Sequence, residues 1–397
     1  MNIGIIVDND FDRDIRVTRE ARLMAKQGNS IFVLCFGFFK TNYTGSGNVH
    51  IVRIRIPVKL KNILFLLYNT LPFYKWLWQY HIKKLLRKRQ IDFIHVHDLH
   101  MILPAYRAIK KSGSPARLIA DLHENFPAAI MEYKWANGSF SRLIVQPGQW
   151  KKNERKILEK ADHIIVISSK YKNQLQSLYK LPEKKISVYP NTIDIDHFDS
   201  YKTDYGIIKD FDKTKPVVFY FGVIAERRGI FDLIESTRRL ITRGDDFSLL
   251  LIGPVDNADR DKFFAEISET SIEKDIIYIP WISISSLPAY LRLSDICVAP
   301  LKVNEQHNSG VANKIFQYMY GGKPIIASAC KPMEELILEH DCGLIYNNND
   351  ELADHISALL HNPEKAGRLG QNGRDALLKF YNNELIDKKL IKVYENL

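Results

Sequence analysis

Between Glu20 and Asp92 the chain has no aspartate or glutamate, while 13 lysines and arginines fall in the same interval. That absence leaves the interval without an acidic partner of its own, and something negative is expected to meet its face. Only four cysteines occur, Cys35, Cys297, Cys330 and Cys342, with no paired spacing, so neither a disulfide framework nor a thiolate metal site is expected. No uncharged apolar run approaches the roughly 18 residues of a membrane-spanning helix. The start, "MNIGIIVDNDFDRD", has no basic stretch leading into an apolar one and a cleavage site, so a cytoplasmic location is expected. Two motifs are missing as well. No G-x-G-x-x-G follows the first apolar run, which argues against a dinucleotide oxidoreductase, and no G-x-x-x-x-G-K-[ST] marks a nucleotide triphosphatase.

What is present is a chain of 397 residues, 46% apolar and 26% charged, which suits two globular domains better than one. Residues 1 to 190 hold 32 Lys/Arg and 14 Asp/Glu, a net of +18, and residues 191 to 397 hold 24 and 32, a net of −8, giving the overall +10. The basic half contains "LFLLYNTLPFYKWLWQYHIKKLLRKR". Clustered cations attract nucleic acid or an anionic membrane. Phe65, Leu66, Leu67, Phe73, Trp76, Leu77 and Trp78, followed by Lys83, Lys84, Arg87, Lys88 and Arg89, favour an interfacial amphipathic segment and a membrane over nucleic acid. A core helix with a solvated basic end is the alternative reading.

Short apolar runs separated by helix-compatible segments predict βαβ units on a parallel sheet. They are "NIGIIVD" (Asn2 to Asp8), "SIFVLCF", "HIVRIRI", "DFIHVHD", "RLIADLH" and "HIIVIS". After Pro216 the pattern restarts with "VVFYFG", "FSLLLIG", "DIIYIP", "DICVAPL", "KPIIAS" and "CGLIYN". The polar "VYPNTIDIDHFDS" between them marks an interdomain connection. Two doubly wound domains would face a central cleft, and ligands of such sheets bind beyond the carboxyl ends of strands.

Residues at those ends carry the chemistry. In "FYFGVIAERRGIFDLIES" a strand ends at Gly222 and Arg227-Arg228-Gly229 precede the next helix. Cations are disfavoured at a helix N-terminus unless an anion joins them, so an oxyanion ligand is expected. In "NSGVANKIFQYMYGGKP" the small pair Ser309-Gly310 precedes an expected helix from Val311, with Lys314 one turn in. Two such sites would hold a diphosphate without metal. "IADLHENFP" and "IHVHDLH" each set an imidazole beside a carboxylate, His123-Glu124 and His97-Asp98, suited to proton transfer or orientation.

With "DRDIRVTREARLMAKQGNSIFVL", "DLHENFP", "ADHIIVISS", "VYPNTIDIDHF", "FGVIAERRGIFDLIES", "PAYLRLSDICVAPL" and "NKIFQYMYGGKPIIAS" in this order, the chain resembles the GT-B glycosyltransferases of family 4. These are retaining, nucleotide-sugar-dependent enzymes. The resemblance implies an α/β fold with an N-terminal acceptor-binding Rossmann-like domain over residues 1–190 and a donor-binding one over 191–380. Residues 381–397 would form a C-terminal helix crossing back to the first domain. It implies roles for His123 and Arg228 in catalysis and for Ser309, Gly310, Val311 and Gln317 in donor binding, and the strand-end reading adds Lys314 to the first group and Gly222, Arg227, Gly253 and Ile282 to the second. Asp10 and Asp98 fall on the acceptor side. No metal or other cofactor is expected beyond the nucleotide sugar as co-substrate, a UDP-sugar first among donors.

The chain departs from that family in three places. The paired glutamates eight residues apart fall on Ser309 and Gln317, Val223 stands where many members have arginine, and "DNDFDRD" replaces the glycine-rich first loop. An amide still accepts and donates to ribose hydroxyls. The expected activity is transfer to a membrane-associated glycan or lipid-linked acceptor in surface polysaccharide biosynthesis. A catalytically impaired partner subunit and a GT-B sugar-nucleotide epimerase are the alternatives.

Overall fold

The computed structural model describes residues 1–38, 45, 47–209, 211, 214–269 and 271–397. The chain divides into two compact units, Met1–Pro190 with Asp387–Leu397, and Asn191–Ile386.

The first unit holds a parallel sheet of seven strands, β1 Asn2–Asp10, β2 Ser30–Phe36, β3 Val49–Ile54, β4 Phe93–His97, β5 Arg117–Leu122, β6 His163–Val166 and β7 Ile186–Val188. Their order is β3-β2-β1-β4-β5-β6-β7. The winding therefore reverses between β1 and β4, the position where open sheets bind ligands. Helices cover both faces, so central strands read as continuous apolar runs and not as alternation. All five residues of β4 are buried, including His95 and His97. β7 escaped the sequence reading because its three residues sit within the polar run "LPEKKISVYP", below the length at which periodicity registers.

Four helices frame the reversal point. α1 (Ile15–Lys26) starts where Asp14 accepts the Val17 N–H at 3.1 Å, an N-cap that leaves Arg16 in the first turn. α2 (Val58–Leu66) fully buries no residue, and α3 (Phe73–Lys88) buries Tyr74, Trp78, Ile82 and Leu86, four residues apart on one face. Packing Tyr74 and Trp78 completely under the sheet contributes roughly 1.5–3 kcal/mol each and fixes which face of α3 remains outside. α4 (Leu99–Ser112) begins directly after Asp98 and ends on Gly113, whose φ of 68° makes a left-handed cap.

The second unit holds β8 Val217–Phe221, β9 Ser248–Ile252, β10 Ile276–Ile279, β11 Ile296–Ala299, β12 Ile325–Ser328 and β13 Gly343–Tyr346. All strands are parallel, in the order β10-β9-β8-β11-β12-β13, with the reversal between β8 and β11. Helix Asn313–Tyr320 begins two residues later than the sequence predicts, because Gly310 is extended and Ala312 serves as its N-cap residue. Lys314 accordingly lies in the first turn and not one turn in. Among the described residues no helix is long and apolar enough to cross a membrane.

Candidate functional site

At the carboxyl end of the first sheet, His123 follows β5 directly. Its Nε2 lies 2.9 Å from His97 Nδ1 and 3.6 Å from Asp121 Oδ2. Asp121 is wholly buried and takes the Arg16 guanidinium through Nη2 at 3.0 and 2.9 Å and Nε at 3.2 Å. Arg16 also reaches Glu20 Oε1 at 3.0 Å and the Tyr189 carbonyl at 3.2 Å. Burial alone would raise the Asp121 pKa, but Arg16 and His123 hold it well below the carboxylate range. Burial alone would lower that of His123, yet Asp121, followed by Asp98, raises it to about 9. Burial pushes His95 down to about 4 and His97 well below its ordinary value, and the three rings touch in the order His95, His97, His123.

Asp98 has φ 72° and ψ 153°, a region adopted almost only by glycine. Its N–H donates to the Asp121 carbonyl at 2.8 Å, and burial raises its carboxyl pKa. Asp10 is 2% exposed, with its carboxylate accepting the Asp12 N–H at 3.3 Å in the turn that follows β1. Asp8, which the sequence reading did not place among the site residues, does have partners from other elements. Tyr74 Oη donates to it at 2.7 Å, His100 Nε2 lies at 2.9 Å and Lys61 Nζ at 3.5 Å. His100 and Lys61 hold its pKa down against burial. The signal was available in the third histidine of "HVHDLH", but pairing it with Asp8 needs the β1–β4 adjacency.

Glu20, His95, His97 and Asp121 bring four possible ligand atoms within 4.8 Å of one another. They do not fit a metal ion. Arg16 is bonded to Asp121 and paired with Glu20, so a permanent cation already stands against both carboxyl groups and opposes a metal ion there.

In the second unit, Gly222 ends β8 with φ 137°, and a Cβ there would stand 3.1 Å from Lys314 Nζ. Gly253, φ 146°, ends β9 so close that a Cβ would meet the Gly222 carbonyl at 2.0 Å. Both positions therefore require glycine. Lys314 is 9% exposed, its Nζ sits 3.6 Å over the Tyr220 ring, and it has no hydrogen-bond partner among the described residues. Desolvation and, after it, Arg228 depress its pKa well below the ordinary value. Arg228 lies on the turn Glu226–Arg228 before helix Ile230–Arg243, and its Nη1 is 3.3 Å from His307 Nε2. His307 Nδ1 donates to the Lys302 carbonyl at 2.7 Å, and burial lowers the ring to about 4, so a neutral Nε2 accepts from Arg228. The sequence reading missed His307, whose only signal was its place two residues before Ser309.

The remaining expected donor residues lie on the same unit. Arg227 Nη2 is 3.8 Å from Asp256 Oδ2. The buried Ser309 hydroxyl donates to the Gln306 carbonyl, and the Val311 carbonyl accepts from Asn191 at 3.2 Å. Gln317 is 9% exposed on the helix that carries Lys314, Gly310 lies in the extended segment before it, and Ile282 is half-buried against the core.

The description "Glycosyltransferase Family 4" matches residues 15–197, and "Glycosyl transferases group 1" matches residues 204–376. The first match covers most of the first unit and ends just inside the second, and the second match lies within the second unit. The chain belongs to glycosyltransferase family 4. This family 4 chain has the two-domain, Rossmann-like GT-B fold. Sucrose-phosphate synthase from Thermosynechococcus elongatus superposes with a TM-score of 0.79 at 20% identity, covering 100% of this chain and 98% of that one. The Anabaena protein HepE in complex with UDP-glucose gives 0.72 at 13% identity over 100% of both. In sequence the chain is 21% identical over 269 residues to an alpha-D-kanosaminyltransferase from Streptomyces kanamyceticus, covering 65% of this chain and 66% of the relative. It spans 41% of a trehalose synthase from Pyrococcus horikoshii at 23% identity. The chain thus covers less than two thirds of these curated relatives.

Proposed function

We propose that the protein is a retaining glycosyltransferase that moves a sugar from a nucleotide sugar, a UDP-sugar first, to a membrane-associated glycan or lipid-linked acceptor in surface polysaccharide assembly. The observation that carries the donor half is Lys314, a buried amine without a hydrogen-bond partner among the described residues, lying with Arg228 at the winding reversal of the second sheet. A cation left unpaired in a low-dielectric site is strongly disfavoured unless an anion completes it, and a diphosphate supplies that anion. HepE, solved with UDP-glucose, supports a nucleotide-sugar donor.

Catalysis then rests on fixed donors aimed at the charge that grows on the departing diphosphate. Arg228, oriented by His307, and Lys314 meet that charge, so we read the transfer as metal-independent. Ser309 and Gln317 offer no carboxylate as a covalent nucleophile. The acceptor hydroxyl attacks the anomeric carbon on the face the diphosphate leaves. Its oxygen–carbon bond forms as the carbon–phosphate-oxygen bond breaks, and its proton passes to the leaving oxygen. Asp98 is the carboxyl group of the first unit assigned to orient that hydroxyl.

The membrane half rests on α2 and α3. Ile63, Phe73, Trp76 and Tyr80 are 56%, 50%, 54% and 62% exposed, and Lys59, Lys83, Lys84, Arg87 and Lys88 share these two helices. Exposed aromatics ringed by cations suit an anionic interface.

The test is turnover of a panel of nucleotide sugars with and without lipid-linked acceptors, for the wild type and Arg228→Ala. Acceptor-dependent release of nucleoside diphosphate that survives chelator and is lost in the variant is expected. Isomerised donor without acceptor would make the protein an epimerase. Tight UDP binding without turnover would make it an inactive partner subunit, the reading that the missing carboxylates at Ser309 and Gln317 favour.

A further inference from the structure

We propose that Asp121 and His97 are positioning residues that hold His123 as a fixed cation, so that it acts as a positive hydrogen-bond donor from Nδ1 and never as a base. The inference rests on the glycosyl-transfer reading above and concerns the state of one ring within it.

The distances set which ring nitrogens face each other, and the ionised Asp121 at 3.6 Å favours the charged ring. His123 Nε2 points inward at His97 Nδ1, 2.9 Å away, with Asp121 Oδ2 at 3.6 Å. A protonated Nε2–H therefore donates to His97 Nδ1, which places the His97 proton on Nε2, the atom 3.9 Å from Glu20 Oε2. No hydrogen bond reaches His123 Nδ1 among the described residues, and the side chain is 20% exposed. The ring thus turns its second N–H outward.

Charged and titratable groups face the ring from several elements. From α1, Arg16 is a permanent cation bonded to Asp121, and Glu20 is held well above its ordinary pKa by burial and by Asp121. From β4, His95 and His97 are neutral, and Asp98 follows them. From β5 comes Asp121, the one carboxylate pulled far down. The phenols of Tyr189 and Tyr394 are pushed up by burial and stay neutral. Two cations, Arg16 and His123, therefore share one firmly ionised carboxylate, and the surplus positive charge faces outward through His123. Its partner in the reaction is an oxygen that carries or gains negative charge.

The readout is the alkaline limb of kcat/KM for the donor, together with NMR titration of ring-labelled histidines, His123 being assigned by its loss in His123→Gln. In the wild type both are expected near pH 9. In Asp121→Asn the limb moves toward the ordinary histidine value near 6.5, which lowers the rate at pH 8 by roughly 30-fold while leaving it within a few-fold at pH 6. His97→Gln, whose amide still accepts, keeps the limb near the wild-type position. A wild-type His123 titrating near 6.5 overturns the proposal, as does an Asp121→Asn rate lowered equally at every pH. If Asp121→Asn does not fold, the wild-type titration alone decides. Absence of turnover with every donor defeats the glycosyl-transfer reading and leaves the titration to judge the charge of the ring.

Discussion

Replacing Lys314 with methionine keeps the stem of the side chain and deletes its charge. In the free protein that charge is a liability, since Nζ has no hydrogen-bond partner and no ion pair among the described residues and lies over the Tyr220 ring. Burying an unpaired polar group costs roughly 1–3 kcal/mol by mutational data, and the cation–π contact returns about 0.5–2 of it. The depressed pKa of Lys314 says that desolvation outweighs the ring. Lys314→Met should therefore stabilise the free second unit by about 1 kcal/mol. For a folding unit of roughly 200 residues that raises Tm by about 2–4 °C. With UDP present the sign reverses, because a hydrogen bond to a charged group contributes roughly 1.5–3 kcal/mol, about 10- to 160-fold in Kd. A pH signature accompanies it. The unfolded chain holds the Lys314 proton more tightly than the folded one, so wild-type stability rises with pH toward the ordinary lysine value, and the variant loses that rise. Differential scanning fluorimetry with and without UDP measures all three. A variant that melts lower than wild type when free and shifts equally with UDP would refute the reasoning.

Asp98→Gly should raise stability by roughly 1–3 kcal/mol, since glycine adopts φ 72°, ψ 153° without strain, while transfer to acceptor is lost with the carboxyl group; a denaturant midpoint that falls would contradict it. His307→Ala should raise the donor KM by about 10-fold by freeing Arg228, with donor-induced stabilisation falling in parallel, and unchanged UDP affinity would count against it. Vesicles of anionic lipid should bind the protein in low salt and release it in high salt, with Lys83→Glu/Lys84→Glu weakening binding by about 1 kcal/mol per charge removed; equal binding to neutral vesicles would defeat the interfacial reading. Because His95 and His307 sit near 4 when folded, the unfolded chain binds protons first as pH falls below about 6.5, and stability should drop from there toward pH 4; midpoints that stay level between pH 7 and 5 would show those rings accessible.

The sheets were legible because parallel strands covered on both faces spell short apolar runs, and all but β7 stood out between helix-compatible segments. Strand ends were legible for the same reason, which is why Gly222, Arg228 and His123 could be named. What a one-dimensional reading could not supply is adjacency across strands. Asp8 meets His100 only because β1 lies beside β4, and Asp121 meets Arg16 only because α1 returns over the sheet. His97 was read as a strand-end group suited to proton transfer, whereas it and His95 are buried together in a polar network that an apolar pattern hides. The two-residue delay of helix Asn313–Tyr320 reflects Gly310 and Ala312, whose propensities are silent about which of them begins the turn.

The helix Asn383–Glu395 starts among residues of the second unit and ends among those of the first, where Tyr394 Oη meets His95 Nδ1 at 2.6 Å and Asp387 pairs with Arg19 at 2.6 Å. The first unit is thus assembled from two stretches of chain made almost two hundred residues apart. A ribosome that has finished residues 1–190 has not finished the material of that unit, so its last helix must wait for the whole second unit to be synthesised. A fragment cut at Pro190 would leave His95 and the face of Phe93 without Tyr394, and separate expression of the units calls for a fused copy of residues 387–397.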